Sequence, residues 1–356
     1  MKIKRRFLMK SPIKQAIAFG VLFGLILLSS AYAGDVNRTG TAGAQELLIP
    51  VGARDLALGG SSVASTNGVD AIYWNPAGLS KINSVEAMFS HLNYIADIGV
   101  EYGAIGINAG DFGNVGFSMK SINFGNIPVT TEDLPDGTGQ TYSPSYLTLG
   151  ATYARMLSDR ISVGATVNII NESIMNTSAN AVGFDIGVRY DGIGIPDLNL
   201  AVVLKNVGTN ISYSGAGLYR TGNTTDDLRG QQTYSLVAAT AELPSQMEIA
   251  LAYNCKLDEK DQISLFGDFE NNNYSTDVWK FGAELTFQNL LFLRGGYTLA
   301  PNDPKDATGA SSYLYDYTAG AGIKYDLGGV TIGVDYAYRH LVRMSSNNVI
   351  SVKIGI

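Results

Sequence analysis

The stretch Ile161-Ser162-Val163-Gly164-Ala165-Thr166-Val167-Asn168-Ile169 decides the fold, because it alternates strictly between two chemical classes. Its odd positions are apolar, and its even positions are small or polar. Successive side chains of a β-strand point to opposite faces, so this strand would have one apolar and one polar face. The apolar face would meet a second sheet in a soluble sandwich, or lipid in an outer-membrane barrel whose polar face lines a lumen.

The same alternation recurs along the chain in about fourteen segments of about 8–12 residues, the length of a tilted membrane strand. The segments are 85–94, 98–109, 115–124, 146–155, 161–172, 181–190, 198–207, 247–255, 262–270, 278–287, 291–298, 316–325, 330–338 and 348–356. The connections after even-numbered segments are short, and those after the third, seventh and eleventh are long: 125–145, 208–246 and 299–315. Short periplasmic turns and long outer loops are typical of outer-membrane barrels. The sequence therefore predicts an all-β protein, a transmembrane antiparallel up-and-down β-barrel of about 14 strands.

Aromatic residues near segment ends favour the same fold. They would form the interfacial girdles at which amphipathic rings bridge lipid and water. The candidate positions are Trp279, Phe281, Phe287, Tyr313, Tyr315, Tyr317, Tyr336 and Tyr338.

Residues 1–33 have the features of a secretory signal peptide. The basic residues Lys2, Lys4, Arg5, Arg6, Lys10 and Lys14 precede an apolar run at 16–28, and Ala31-Tyr32-Ala33 forms an A-x-A cleavage site. The run is too short for the roughly 20 residues that span a membrane, so we expect the signal to be removed. No later apolar run is long enough for a transmembrane helix, so a membrane location requires a closed barrel.

The net charge of the chain argues against nucleic acid as a partner. Its 25 basic and 32 acidic residues give a net charge of −7, and six basic but no acidic residues lie in 1–33, so the mature chain carries −13. A protein with this negative net charge repels the phosphate backbone, so we do not expect it to bind nucleic acid. Cys255 is the only cysteine, so no internal disulfide forms.

Residues 34–83 lack the strand alternation and predict an N-terminal hatch or plug in the lumen, between the signal (1–33) and the barrel (84–356). Asn75-Pro76-Ala77 is its most distinctive run, since proline fixes φ and removes a donor while asparagine bonds the local backbone. We interpret this run as a hatch element that controls access from the lumen, or equally as a tight turn that joins the hatch to the first strand.

Three charged residues of the predicted strands should face the lumen rather than lipid, where a charge costs a few kcal/mol. They are Asp185, Arg189 and Glu284. Their candidate partners in the hatch are Arg54 and Asp55, so these charges would hold the hatch in place.

The sequence contains few candidate catalytic residues. His91 and His340 are the only histidines, and no nucleophile motif or metal-ligand spacing accompanies them. We therefore predict no enzyme activity, no cofactor and no metal site, with an enzyme at the barrel rim as the weakest hypothesis.

Three sequence runs are similar to those of a known family, and the similarity extends over essentially the whole mature chain. They are Gly52-Ala53-Arg54-Asp55-Leu56-Ala57-Leu58-Gly59-Gly60, Asn75-Pro76-Ala77-Gly78-Leu79 and Ser90-His91-Leu92-Asn93-Tyr94-Ile95-Ala96-Asp97-Ile98. Together they resemble the PorV/PorQ family of FadL-like outer-membrane barrels, which implies fourteen strands with an N-terminal hatch.

The resemblance implies two functions for a protein of the bacterial outer membrane. The first is a role in type IX secretion, in which loops 125–145 and 208–246 bind secreted cargo or surface partner proteins. The alternative is a FadL-like channel for hydrophobic small molecules such as long-chain fatty acids, which needs an apolar pocket in the lumen.

Overall fold

The computed structural model describes residues 38–223, 230–305 and 313–356, so the predicted signal peptide lies outside the described residues. None of the helices in these ranges is long and apolar enough to cross a membrane. The chain forms mainly strands and short helical turns.

Fourteen antiparallel strands close into a barrel, which confirms the predicted fold class. They are β1 (Val85–Asn93), β2 (Gly99–Asn108), β3 (Asn114–Asn123), β4 (Ser145–Met156), β5 (Ile161–Ile174), β6 (Thr177–Tyr190), β7 (Leu198–Gly208), β8 (Gln246–Lys256), β9 (Gln262–Asn272), β10 (Val278–Phe287), β11 (Leu291–Leu299), β12 (Tyr315–Asp326), β13 (Thr331–Leu341) and β14 (Asn347–Gly355). Each strand pairs with its neighbours in sequence, and β14 pairs with β1, with Ser351 opposite Ser90. Closure leaves no strand edge unpaired in lipid.

The two ends of the barrel differ in the length of their connections. The long connections 124–144, 209–245 and 300–314 all leave the same end, which we call the long-loop end. Two of them carry a small ribbon, Ile127–Pro128 with Thr141–Tyr142 and Tyr219–Gly222 with Gln232–Ser235. At the opposite, short-turn end no connection is longer than that at 191–197. In outer-membrane barrels the long-loop end faces the outside.

The wall of the barrel exposes its apolar residues and buries its polar ones. On β5, Thr166 is 1% exposed whereas Ile169 is 56% exposed. Phe184, Ile186 and Val188 follow the same pattern on β6. This is the reverse of a soluble protein and fits a wall whose solvent is hydrocarbon.

Residues 38–83, which we call the lumen segment, lie inside the barrel. The segment contains two short helices, α1 (Ala53–Ala57) and α2 (Ala71–Trp74), and 3-10 turns at Gln45–Leu48, Gly68–Asp70 and Pro76–Lys81. It begins at the long-loop end, where Arg38 contacts Glu242 and Tyr274, and ends at the short-turn end, where β1 starts.

Glycines of the inner wall let the lumen segment approach the strand backbones. A Cβ atom at Gly187 would overlap the side chain of Asn75, and one at Gly164 would overlap the backbone of Pro76. On the other side of the lumen, Gly320 makes room for Ala57 in the same way. These glycines therefore act as sockets for the segment rather than as turn residues.

The predicted aromatic girdle is wrong at two positions. Tyr313 and Tyr315 line the lumen, whereas Tyr317 faces outward and is 45% exposed. The reason is a β-bulge in the pairing of β12 with β13, between Tyr315 and Thr318, which shifts the alternation by one residue.

Candidate functional site

The lumen holds a partly enclosed cavity of about 670 Å³ at the long-loop end. The lumen segment forms its floor through apolar and aromatic residues, among them Leu48, Pro50, Leu56 and Trp74. Strands β7 to β13 form its sides. A volume in this range is typical of sites that enclose a small molecule.

One side of the cavity is aromatic. Tyr313 and Tyr315 stand with their rings 5.7 Å apart, and the guanidinium of Arg339 lies 3.2 Å from the centre of the Tyr315 ring. Burial raises the pKa of Tyr313 to about 12, so its hydroxyl group stays protonated. Val278 and Leu314 extend the apolar surface beside them.

The opposite side of the cavity carries charges that are paired with one another. Lys280 Nζ lies 3.2 Å from Glu248 Oε2 and 3.4 Å from Asp268 Oδ1, and it also contacts Glu270. Lys205 Nζ lies 3.5 Å from Glu248 Oε1. All five side chains project inward from β7–β10, so the two lysines offset most of the charge of the three acids away from bulk water.

A second set of ion pairs joins the lumen segment to the wall. Arg54 contacts Asp55 at 2.9 Å and Glu284 at 3.4 Å. Glu284 also accepts a hydrogen bond from Arg294, which contacts Asp335 at 2.6 Å. Burial lowers the pKa of Arg54, but Glu284 and Asp55 outweigh burial and raise it overall, so Arg54 stays charged.

Asp55 is fully buried and serves mainly to hold the lumen segment together. Its Oδ1 atom accepts hydrogen bonds from Ser62 Oγ at 2.5 Å and Thr66 Oγ1 at 2.6 Å. Asp70, also in the lumen segment, pairs with Lys353 of β14. Arg54 and Asp70 therefore attach the segment by charge to strands of the wall.

Asn75, Pro76 and Ala77 are all buried near the short-turn half of the lumen. Asn75 Oδ1 accepts a hydrogen bond from Ala77 N at 3.1 Å, and its Nδ2 donates to Val63 O at 3.0 Å. The asparagine therefore begins the Pro76–Lys81 turn and seats it on Gly164 and Gly187.

Asp185 and Arg189 lie on the inner face of β6 and are 5% and 6% exposed. Arg189 Nη1 donates to Asn67 Oδ1 of the lumen segment at 2.6 Å, and its Nε contacts Asp191. Asp185 does not contact the lumen segment through a hydrogen bond; it accepts from Asn206 N at 2.7 Å and from Asn168. Neither residue meets Arg54 or Asp55.

A cluster of polar side chains links the lumen segment to the 209–245 loop. Glu46 of the segment faces Glu172 of β5, and Glu172 accepts a hydrogen bond from Tyr213 of the loop. Burial, and then the charge of Glu172, raise the pKa of Glu46 to about 7, against a smaller opposing effect of Lys120. Lys120 Nζ donates to the backbone oxygen of Glu46 at 2.7 Å.

The two histidines lie apart, each with its own carboxylate. His91 Nδ1 is 2.6 Å from Glu101 Oε1 on the outer face of the wall, and His340 Nδ1 is 2.7 Å from Asp316 Oδ1. Among the described residues, no three His, Cys, Asp or Glu side chains form a group that would hold a metal ion.

Several residues of the cavity were missed by the sequence analysis. Lys205, Glu248, Glu270 and Lys280 occupy inward positions in segments that alternate in the sequence, so the parity of each strand was a usable signal. Arg339 also lies at an inward position of its strand, but no pattern in the neighbouring sequence predicted its contact with Tyr315.

No protein-family model and no curated protein matches the chain. Solved structures do match it. A FadL homologue of Pseudomonas aeruginosa is 12% identical with a TM-score of 0.52, over 86% of this chain and 98% of that one. The toluene transporter TbuX of Ralstonia pickettii is 13% identical with a TM-score of 0.51, over 86% of this chain and 98% of that one. The toluene transporter TodX of Pseudomonas putida is 15% identical with a TM-score of 0.51, over 84% of this chain and 96% of that one.

At these identities the likeness establishes the fold, and the narrower PorV/PorQ resemblance stays a prediction. The structural observations agree with the likeness, since the barrel is closed, exposes an apolar wall and has long loops at one end. Closed barrels of this kind span the outer membrane of bacteria. The protein is therefore a bacterial outer-membrane β-barrel of fourteen strands with a FadL-like fold.

Proposed function

We propose that the protein is a channel that takes up hydrophobic small molecules through the outer membrane. The observation that carries this proposal is the cavity of about 670 Å³ above the lumen segment, whose floor and one side are apolar and aromatic. The likeness to structures described as toluene transporters supports it. The role is one of transport and requires no catalysis.

The lumen segment has a direct part in this function. Below the cavity, Leu79 and Ile82 fill the short-turn half of the lumen and are 0% and 1% exposed. A molecule that enters from the long-loop end therefore comes to rest on the segment. Passage to the periplasm requires the segment, or the wall beside it, to move.

The test is uptake of labelled toluene by cells that express the barrel, with a variant that fills the cavity. Val278→Trp places a large ring in the cavity, whereas Val202→Trp puts the same ring on the lipid-facing wall, where Val202 is 41% exposed. We expect the first variant to reduce uptake at least about tenfold, because the ring occupies the site, and the second to leave uptake unchanged. Equal uptake by a folded Val278→Trp barrel and the wild type would contradict the proposal.

The secretion role predicted from the PorV/PorQ resemblance is less well supported, because the solved structures compared above are described as transporters. It is tested by affinity capture of the tagged protein from native membranes. Stoichiometric recovery of surface proteins through loops 125–145 or 208–246 would favour secretion over uptake.

A further inference from the structure

Arg339 is a feature of the cavity that the uptake of plain hydrocarbons does not explain. It projects inward from β13 near the long-loop end, and its guanidinium lies against the ring of Tyr315. Its Nη1 atom is buried and donates no hydrogen bond to any residue that the structure describes. Within the described ranges no carboxylate forms an ion pair with it, whereas Lys205 and Lys280 in the same cavity are both paired with acids.

A buried charged donor without an acceptor is energetically unfavourable. Arg339 as a whole is partly exposed, but its Nη1 atom has lost its water and lacks an acceptor among the described residues, which a ligand could supply. The planar fork of arginine suits a carboxylate, to which it can donate two parallel hydrogen bonds. A second unpartnered polar atom, Thr276 Oγ1, is buried in the lining of the same cavity. The cavity therefore offers contacts to a ligand that has a polar group as well as an apolar part.

The remaining lining restricts the shape of that apolar body. Tyr73, Trp74, Tyr313 and Tyr315 present aromatic rings to the cavity, and flat rings pack well against such faces. The far side carries the paired charges around Lys280, which a long alkyl chain would have to strip of their remaining water. A compact ring system fits these limits better than a long flexible chain.

We propose that the cavity binds an aromatic carboxylate, with the carboxylate on Arg339 and the ring on the aromatic side of the cavity. This inference rests on the proposed uptake function and gives it a substrate class. It distinguishes the chain from the toluene transporters that share its fold, since toluene carries no charged group.

The test compares 2-naphthoate with its neutral counterpart 2-naphthamide, by calorimetric titration of the purified barrel in lipid nanodiscs at pH 7.5. We expect the wild type to bind 2-naphthoate about tenfold or more tightly than the amide, from a charge-assisted hydrogen bond. Arg339→Gln should abolish this preference by weakening 2-naphthoate alone. Arg220→Gln, which changes an exposed arginine of the 209–245 loop, should leave the preference intact.

One further ligand and one further variant make the outcome decisive. Hexadecanoate has the same head group on a long chain and is expected to bind more weakly than 2-naphthoate; tighter binding would overturn the aromatic part of the proposal. Arg339→Lys keeps the charge without the fork and should retain part of the preference. Equal binding of 2-naphthoate and 2-naphthamide by the wild type would overturn the carboxylate proposal. The channel function would not be overturned by that result, because toluene uptake tests it separately.

Discussion

Arg54 Nη2 of the lumen segment lies 3.4 Å from Glu284 Oε1 of the barrel wall, and Glu284 also accepts a hydrogen bond from Arg294. One carboxylate thus bridges two guanidinium groups, that of partly buried Arg54 and that of buried Arg294, which belong to different parts of the chain. The lumen segment and the wall are therefore coupled by charge as well as by packing.

Removing this shared carboxylate should release the lumen segment. Glu284→Gln leaves Arg54 paired only with Asp55 and Arg294 paired only with Asp335, and a broken buried pair costs up to about 3–5 kcal/mol. We expect amide hydrogen exchange of residues 53–60 to accelerate strongly. Arg54→Gln breaks the same contact between the segment and the wall and should also accelerate exchange, although Arg294 stays paired with Glu284. Equal exchange in Glu284→Gln and the wild type would show that packing alone holds the segment; Arg38→Gln, at the exposed start of the segment, is the control.

Filling a glycine socket should unseat the Asn75-Pro76 turn. A Cβ atom at Gly187 would overlap Asn75, so Gly187→Ala is expected to cost about 1–3 kcal/mol, as overpacking does. Gly103→Ala is the matched control, since its Cβ atom would meet nothing within 4 Å. The measurement is protease sensitivity of the lumen segment in the folded barrel. We expect faster cleavage only in Gly187→Ala, and unchanged cleavage there would contradict the socket role.

The contact of Glu46 with Glu172 should depend on pH. Because burial and Glu172 raise the pKa of Glu46 from 4.5 to about 7, the folded state holds a proton that the unfolded state has lost between these values. The contribution of Glu46 to stability is therefore full below about pH 4.5 and falls as the pH rises to about 7. Hydrogen exchange at residues 45–49, corrected for its intrinsic pH dependence, should be faster at pH 8 than at pH 5. Glu46→Gln should remove the difference, and its persistence in that variant would assign it to another group.

Lys280 should be essential for the folded barrel. Lys280→Met leaves Glu248, Asp268 and Glu270 without their common cation, and a broken buried pair costs about 3–5 kcal/mol. We expect a large loss of heat-stable folded barrel on electrophoresis. Lys324→Met changes an exposed lysine and should fold as the wild type does. Normal assembly of Lys280→Met would mean that the acids are protonated without it.

The barrel could be predicted because its rule is local. Apolar Val167 and Ile169 alternate with polar Thr166 and Asn168, and no distant information is needed to count such segments. The same parity placed Asp185, Arg189 and Glu284 on the lumen side, where the structure has them. Their partners could not be predicted, because a partner is set by which strand faces which part of the lumen segment. Arg54 meets Glu284, but Asp185 bonds the backbone of its neighbouring strand instead.

The sequence by itself determined the architecture and the side that faces lipid in the regularly alternating strands, and it predicted the export signal. These features depend on the pattern of residues along the chain. The tertiary structure alone decided the cavity and what it can hold. A bulge between Tyr315 and Thr318 turned Tyr315 inward to meet Arg339, and the lumen segment came to lie beneath both. A bulge shifts side chains between faces without changing the composition of a strand, so its consequences appear only when the barrel closes.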